Sequence, residues 1–437
     1  MQTAHRGTHI ARPVSIAAGA LLLIWPAFAN GYPLLFSDSA AFIAQLLKPI
    51  MLWDKPWIYG PVVVVTSLGL TLWLPAFAQG ALLSWVLWRV LTVFRPASVR
   101  WHLGLCLLLA LVSAAPWFAS MLMPDIFAPI TVLALFLLAF QPDQARRIPL
   151  LATATFGIAA HLAHLPLAAA CLVAVLWPRP RRFALAAMPL VLAVALLLVT
   201  NLVGHGKLAV SPHGSVFLLS RLTTDGPARD YLVRTCPDPH IRLCSWVGRF
   251  PADSDVFMWD PHGPVWTYPG GPIGLTPEAS RIVTATILSR PLDVTRDAAM
   301  NTLRQLTMLR VEHTFGDFNY DWRIGDQLRA HYPAWEMAGF MDSLERQDKL
   351  RAIARPWQGP HVAFVAAGSI ISLMVLIWSA RRNRALFGFT LLIAIGLLAN
   401  AATTGALSGP TDRYQSRIAW LVLLPPVMWL AGRSYRR

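Results

Sequence analysis

Residues 183–203 contain no charged side chain, and the same holds for 14–31, 126–140 and 385–403. A run of about 20 apolar residues makes a helix long enough to cross the roughly 30 Å hydrocarbon core of a bilayer. Backbone amides in hydrocarbon must be satisfied within the protein, which leaves helices or closed barrels. Runs that are apolar without alternation select the helix. In a chain of 437 residues, 56% hydrophobic and 14% charged, such runs predict an all-α polytopic membrane protein. The same balance excludes a disordered chain, because the apolar fraction is too high.

Ten spans are expected: 14–31, 72–94, 102–121, 126–140, two in 148–177, 183–203, 361–379, 385–403 and 416–431. Residues 56–70, interrupted by Pro61, read as re-entrant or interfacial. The first run lacks a small-residue cleavage site and reads as a retained helix. Residues 148–177 follow Arg146 and Arg147 and precede Arg179, Arg181 and Arg182. Lys and Arg mark the cytoplasmic side, so this segment must turn back on itself near His161, His164 and Pro166.

The net charge of +15 resembles a nucleic-acid signal until it is located. Residues 204–360 carry 17 basic and 17 acidic side chains. The excess lies in short clusters between apolar runs, which is the mark of membrane topology, and no nucleic-acid partner is expected. Sixteen arginines fall in the cytoplasmic segments of this scheme; the short outer loops hold only Lys48, Lys55, Arg413 and Arg417. Both termini are therefore expected inside. The Ala- and Arg-rich, Lys-poor composition points to a bacterial inner membrane. The domains read as a membrane part over 1–203 with a long first outer loop at 32–71, a periplasmic insert over 204–360, and a second membrane part over 361–437. Within the insert, 211–277 reads as loops, with helices near 277–283, 293–311 and 342–353. Cys236 and Cys244, in the oxidising compartment, are expected to form a disulfide; Cys106 and Cys171 read as packing residues.

Outside the insert the acids are Asp38, Asp54, Asp125, Asp143 and Asp412. Asp143 falls on the cytoplasmic side. The other four gather at the outer ends of the spans, where ionisable groups are costly and tend to mark function. Asp38 is either a functional carboxylate or the N-cap of a helix over 39–47, and Asp125 carries the same choice. Asp54, Lys55 and Tyr59 lie in a Trp-rich stretch of the first loop. His161 and His164, three apart, share a helical face and suit a proton, a phosphate or neither. Arg413 and Arg417 share a face beside Asp412 and Tyr414; they could clamp a phosphate or snorkel to lipid headgroups.

Asp38 in the long first outer loop, Lys55-Pro56-Trp57-Ile58-Tyr59, and Asp412-Arg413-Tyr414 together resemble the GT-C glycosyltransferases. These polytopic enzymes use polyprenyl-phosphate-linked sugars at the outer face. The resemblance implies that Asp38 is the base or metal-supporting acid, with Asp125 as a further catalytic acid. It places the lipid phosphate on Arg413 and Arg417, and admits a divalent cation. The implied partners are membrane lipid, a polyprenyl-phosphate sugar donor, and a glycan, lipid or protein acceptor. Independently of the family, such a transfer needs a base and cations for the departing phosphate. The rival enzyme reading is a polysaccharide polymerase or ligase centred on Arg281, Arg310 and His313. A transporter or a non-catalytic scaffold for envelope glycan assembly is the non-enzyme alternative.

Overall fold

The computed structural model describes residues 3–48, 50–141, 147–176, 180–315 and 324–436. Arg146 and Arg179, used above to orient the chain, and Asp143 lie outside them. The described residues are helical apart from turns, loops and one isolated parallel bridge between Leu34 and Met121.

The first membrane part contains α1 (Thr3–Leu23), α2 (Trp25–Asn30), α3 (Ser39–Leu47), α4 (Tyr59–Ser67), α5 (Trp73–Phe94), α6 (Val99–Val112), α7 (Ala115–Ser120), α8 (Phe127–Phe140), α9 (Arg147–Ala159), α10 (His164–Leu176) and α11 (Phe183–His205). Two expected spans are broken. The run 14–31 divides at Ile24, and 102–121 divides at Ser113. Pro26 and Pro116 follow these breaks near the starts of α2 and α7. A proline in a first turn loses no helical hydrogen bond, whereas one in an interior removes a bond and collides with the preceding turn. The nine-residue α4 is only about 14 Å long at 1.5 Å per residue, too short to cross. Left-handed Leu68 and Gly69 reverse the chain after it. Residues 147–176 form a helical hairpin around Ala160–Ala163, with 13 residues in each arm.

Five helices are long and apolar enough to cross a membrane: Trp73–Phe94, Pro180–His205, Leu350–Ser379, Arg384–Leu407 and Asp412–Tyr435. α11 buries one stripe, Ala186, Pro189, Ala193, Leu197 and Asn201, at the three-to-four spacing of a helical face. Its other side exposes Val191, Leu192, Val199 and Leu202, a surface suited to lipid and not to water. In contrast, every residue of α8 is buried, so it forms the axis around which the other helices pack.

The insert comprises α12 (Gly214–Asp225), α13 (Pro227–Thr235), α14 (Ser254–Trp259), α15 (Gly271–Ser289), α16 (Pro291–Thr307), α17 (Ile324–His331) and α18 (Ala334–Asp342). The expectation of loops over 211–277 is thus corrected. Pro227 and Pro272 open helices, and Gly226 and Gly270 stand immediately before them as caps. Glycine and proline act here as punctuation and not as breakers. Val216, Leu219, Leu232, Phe257, Leu275 and Ile282 build a separate apolar core. Cys236 and Cys244 are joined by a disulfide with Cα atoms 5.5 Å apart. Closing so short a loop contributes about 2–3 kcal/mol in the chain-entropy view.

The chain then returns through α19 (Leu350–Ser379), α20 (Arg384–Leu407), α21 (Asp412–Ala419) and α22 (Leu424–Arg436). The expected boundary at 360 falls inside α19. The helix expected over 342–353 is divided by a turn, where Asp348 has φ of 55°.

α16 docks along α20, and this contact joins insert to membrane part. A Cβ on Gly405 would stand 2.7 Å from the carbonyl oxygen of Asn301. Gly405→Ala should therefore destabilise the fold, by the about 1–3 kcal/mol typical of overpacking. Gly104→Ala, in α6, meets nothing within 4 Å and should be neutral or slightly stabilising. Thermal midpoints of the two purified variants give the comparison.

Candidate functional site

The long first loop is fixed before it reaches Asp38. Leu34 N–H donates to Ser120 O at 3.0 Å, and Leu122 N–H donates to Leu34 O at 2.9 Å. Ser39 Oγ accepts from Phe36 N–H and donates to Leu122 O, both at 2.9 Å. Asp38 occupies the N-cap position of α3 but makes no side-chain capping bond. Its carboxylate instead pairs with Lys55 Nζ at 3.1 Å, and Lys55 also pairs with Asp54. Burial pulls the Lys55 pKa down, but Asp38 and Asp54 more than offset it, and the net shift is upward. The ammonium is held charged. The side chain of Asp38 is 33% exposed, against 6% for Asp54, so Asp38 is the carboxylate that a ligand can reach.

A second cluster lies where the N-terminal end of α8, the vertex of the α9–α10 hairpin and α21 meet. Asp125 is 1% exposed, and Arg417 Nη1 lies 3.2 Å from its Oδ1. Arg417 Nη2 donates to Asn400 Oδ1 at 3.0 Å. Arg417 is fully buried, which excludes the lipid-snorkelling role that its sequence position allowed. Arg413 Nε is 3.8 Å from Asp125. The Arg413 guanidinium carbon lies 4.1 Å from the Phe36 ring centre and 5.0 Å from that of Tyr414. Arg413 Nη1 and Arg417 Nε are buried without a hydrogen-bond partner. One carboxylate thus faces two guanidiniums, with donors to spare.

His161 and His164 adjoin this cluster, their rings 5.2 Å apart. His164 Nδ1 is 2.7 Å from Gly157 O. A carbonyl only accepts, so Nδ1 carries the proton, and the unpartnered Nε2 is an acceptor in the neutral ring. Ala163 N–H donates to His161 Nδ1, leaving the proton of neutral His161 on Nε2. His161 lies within electrostatic reach of Arg417, Arg413 and Lys55.

Other expected site residues take different places. Asp412 turns away from Arg413: its Oδ1 accepts from Arg310 N–H at 2.8 Å, and its Oδ2 lies 2.6 Å from His313 Nδ1. It tethers α21 to the insert. Tyr59 is buried, donating to Gln79 Oε1 at 2.6 Å, so it supports the loop from below and is closed to a ligand. Arg281 Nη2 donates to His240 O at 3.4 Å, within the insert. Tyr414 lies beside both guanidiniums.

The sequence reading missed what the insert and α20 contribute. Asn400 came from an apolar run and shows no motif. Asp255, on α14, lies within reach of Arg413 and Asp38; partial desolvation and Asp253 raise its pKa, Arg413 opposes them, and Asp38 adds to the rise. Its signal was only a pair of acids in Asp253-Ser254-Asp255.

The first loop is also pinned from the far side of the insert. Leu35 N–H donates to Glu345 Oε2 at 2.9 Å, and Glu345 N–H donates to Asn30 Oδ1 at 2.7 Å. Burial pushes the Glu345 carboxyl up to about 8, against the opposing pull of the Leu35 N–H. An unfolded Glu titrates near 4.3, so between these values the folded state holds a proton the unfolded chain has released. The contribution to stability is complete below the lower value and is lost as pH rises through about 8. The thermal midpoint of the wild type should fall between pH 5 and 9 relative to Glu345→Gln, whose amide oxygen still accepts from Leu35.

No family model, curated protein or solved structure matches this chain. Among the described residues no three His, Cys, Asp or Glu side chains gather to hold a metal ion. The Lys55 ammonium stands between Asp38 and Asp54, in the place a cation bound by those acids would take. The residues present do not fit a divalent ion there.

Proposed function

We propose that this chain is an integral membrane glycosyltransferase that moves a sugar from a polyprenyl-phosphate donor to an acceptor hydroxyl at the outer face, as the GT-C resemblance implies. The observation that carries this reading is the pairing of a buried guanidinium with a spare donor, Arg413, and a reachable carboxylate, Asp38. Arg413 binds the phosphate, whose negative charge grows as the anomeric C–O bond breaks. Asp38 accepts the proton of the attacking hydroxyl. The products are a new glycosidic bond and the polyprenyl phosphate. Arg417 positions Arg413 indirectly, by fixing Asp125 and α21.

The topology proposed with it has ten spans, formed by the five long helices and the five shorter apolar ones, Ala11–Leu23, Val99–Val112, Pro124–Phe140, Arg147–Ala159 and His164–Leu176. Both termini are cytoplasmic and the insert periplasmic, in a bacterial inner membrane. An arm of 13 residues spans about 20 Å, some 10 Å less than the hydrocarbon core. The hairpin vertex and Asp125 then lie below the outer surface, at the depth of a lipid phosphate drawn slightly inward. The polymerase or ligase reading has less support, because His313 Nδ1 is engaged with Asp412 at 2.6 Å and the Arg310 guanidinium lies beside Glu312. A test is transfer by purified protein in nanodiscs, from polyprenyl-phosphate-linked pentoses and hexoses, followed by release of polyprenyl phosphate. Acceptor-dependent release supports the reading, and no release from any donor overturns it.

A further inference from the structure

α14 is one and a half turns long, and its sequence sorts cleanly by face. Phe257 and Met258 are buried in the insert core, and Ser254 O accepts from Ser220 Oγ at 3.0 Å, which fixes the helix. Asp255 and Trp259 are four apart, so they stand one above the other on a single face. Both are accessible, Trp259 to 43%. A tryptophan left open to this extent on a rigid helix is a costly use of apolar surface.

The surroundings of that ring are built. Trp53, from the first loop, lies 5.9 Å from the Trp259 centroid and stacks on Phe217 at 5.4 Å. Phe217 meets the Trp259 edge at 6.2 Å. The Lys55 ammonium, bound to Asp38 and Asp54, is 5.5 Å from the Trp259 centroid. Asp255 lies within electrostatic reach of Asp38 and Arg413, and Arg413, 9% exposed, keeps an unpartnered Nη1. An aromatic platform therefore adjoins fixed carboxylates and cations, at the junction of the insert with the first loop.

We infer that Trp259 and Asp255 form a saccharide subsite, in which a pyranose ring stacks on Trp259 while Asp255 accepts hydrogen bonds from its hydroxyls. One face of a pyranose presents axial C–H bonds with partial positive charge, and the face of an indole is negative. Carboxylates accept from two hydroxyls at once, and a lipid chain offers neither feature. The subsite places the sugar's hydroxyls beside Asp38. That this sugar is the acceptor rests on the transferase reading; that it binds does not.

The test measures binding and transfer separately. Methyl glycosides of glucose, galactose, mannose and N-acetylglucosamine are titrated against the full chain in nanodiscs by saturation-transfer NMR, with Trp259→Leu, Trp259→Phe and Asp255→Asn. At least one glycoside should bind the wild type. Trp259→Leu should weaken it by about tenfold, the worth of an aromatic contact, and Trp259→Phe should recover part of the loss. Asp255→Asn should weaken it less and change which glycoside is preferred. Absence of binding across the panel, or binding that Trp259→Leu leaves unchanged, overturns the inference. Binding that depends on Trp259 in a protein that transfers no sugar from any polyprenyl phosphate keeps the subsite and removes the transferase reading.

Discussion

Asp125→Leu should cost the fold about 3–5 kcal/mol, the usual result of stranding one member of a buried ion pair. Arg417 is fully buried and Asp125 nearly so, and the pair is also tied through Asn400 to α20 and to the carbonyl of Tyr414. Without the carboxylate, two guanidiniums face each other in a medium that screens poorly. The expected measurement is a lower thermal midpoint and a poor yield of monodisperse protein. Arg417→Met alone should be milder, because Asp125 keeps Arg413 at 3.8 Å. The double variant Asp125→Leu with Arg417→Met should recover much of the loss, since an apolar replacement of a buried pair is often neutral or better. A double variant as unstable as Asp125→Leu would mean that Arg413, and not Arg417, is the partner Asp125 neutralises.

Asp38→Asn should lower transfer by roughly 10²–10⁴-fold, the usual worth of a general base. Asn keeps the size but does not take up a proton. The change in stability should be small, since a pair with one member a third exposed contributes little. Donor binding should survive, because Arg413 is untouched, and the loss should fall on turnover. Arg413→Ala should do the reverse, weakening the donor first. Full transfer by Asp38→Asn would leave this carboxylate with no role beyond balancing Lys55. It would not restore a capping role, because the carboxylate makes no capping bond.

Much of the architecture was legible because hydrophobicity is a local property. The charge-free runs at 183–203 and 385–403 are helices, and the arginines flanking 148–177 required the turn that is found. What failed was governed by proline placement and by contact at a distance. Pro26 and Pro116 divide two runs of unbroken apolarity, because composition alone does not register where a ring enters a helix. The loop reading of 211–277 failed for a related reason: glycine and proline mark both loops and helix ends, and only packing on Phe257 and Leu275 decides between them. Within the site, charge exposed Asp38, Asp125, Arg413 and Arg417 as unusual for their setting. Their partners were not legible. Lys55 is 17 residues from Asp38, but Arg417 meets Asp125 across 292 positions. The insert's Asp255 and Trp259 join the first loop only through the docking of a separate core. Asp412, adjacent to Arg413 in sequence, points to His313 because successive residues on a helix face different ways.

α19 has 30 residues, about 45 Å at 1.5 Å per residue, half as long again as the hydrocarbon core is thick. Its first turns are gripped on two sides: Gln358 Oε1 accepts from Val311 N–H at 2.7 Å, Arg351 Nε donates to Phe315 O at 2.8 Å, and Trp357 meets Trp25 at 5.0 Å. A rod that is clamped at one end and solvated by lipid along the other acts as a depth gauge. Its exposed Ile370, Leu373, Met374 and Ile377 would lie in the hydrocarbon of a bilayer, so the thickness of the surrounding membrane would set how high the clamped end stands. In a thicker bilayer that end is drawn toward the headgroups, and in a thinner one it is lifted clear. The acyl-chain length of a host membrane would thereby set the height of the segments that this end grips, with no ligand and no change in the chain.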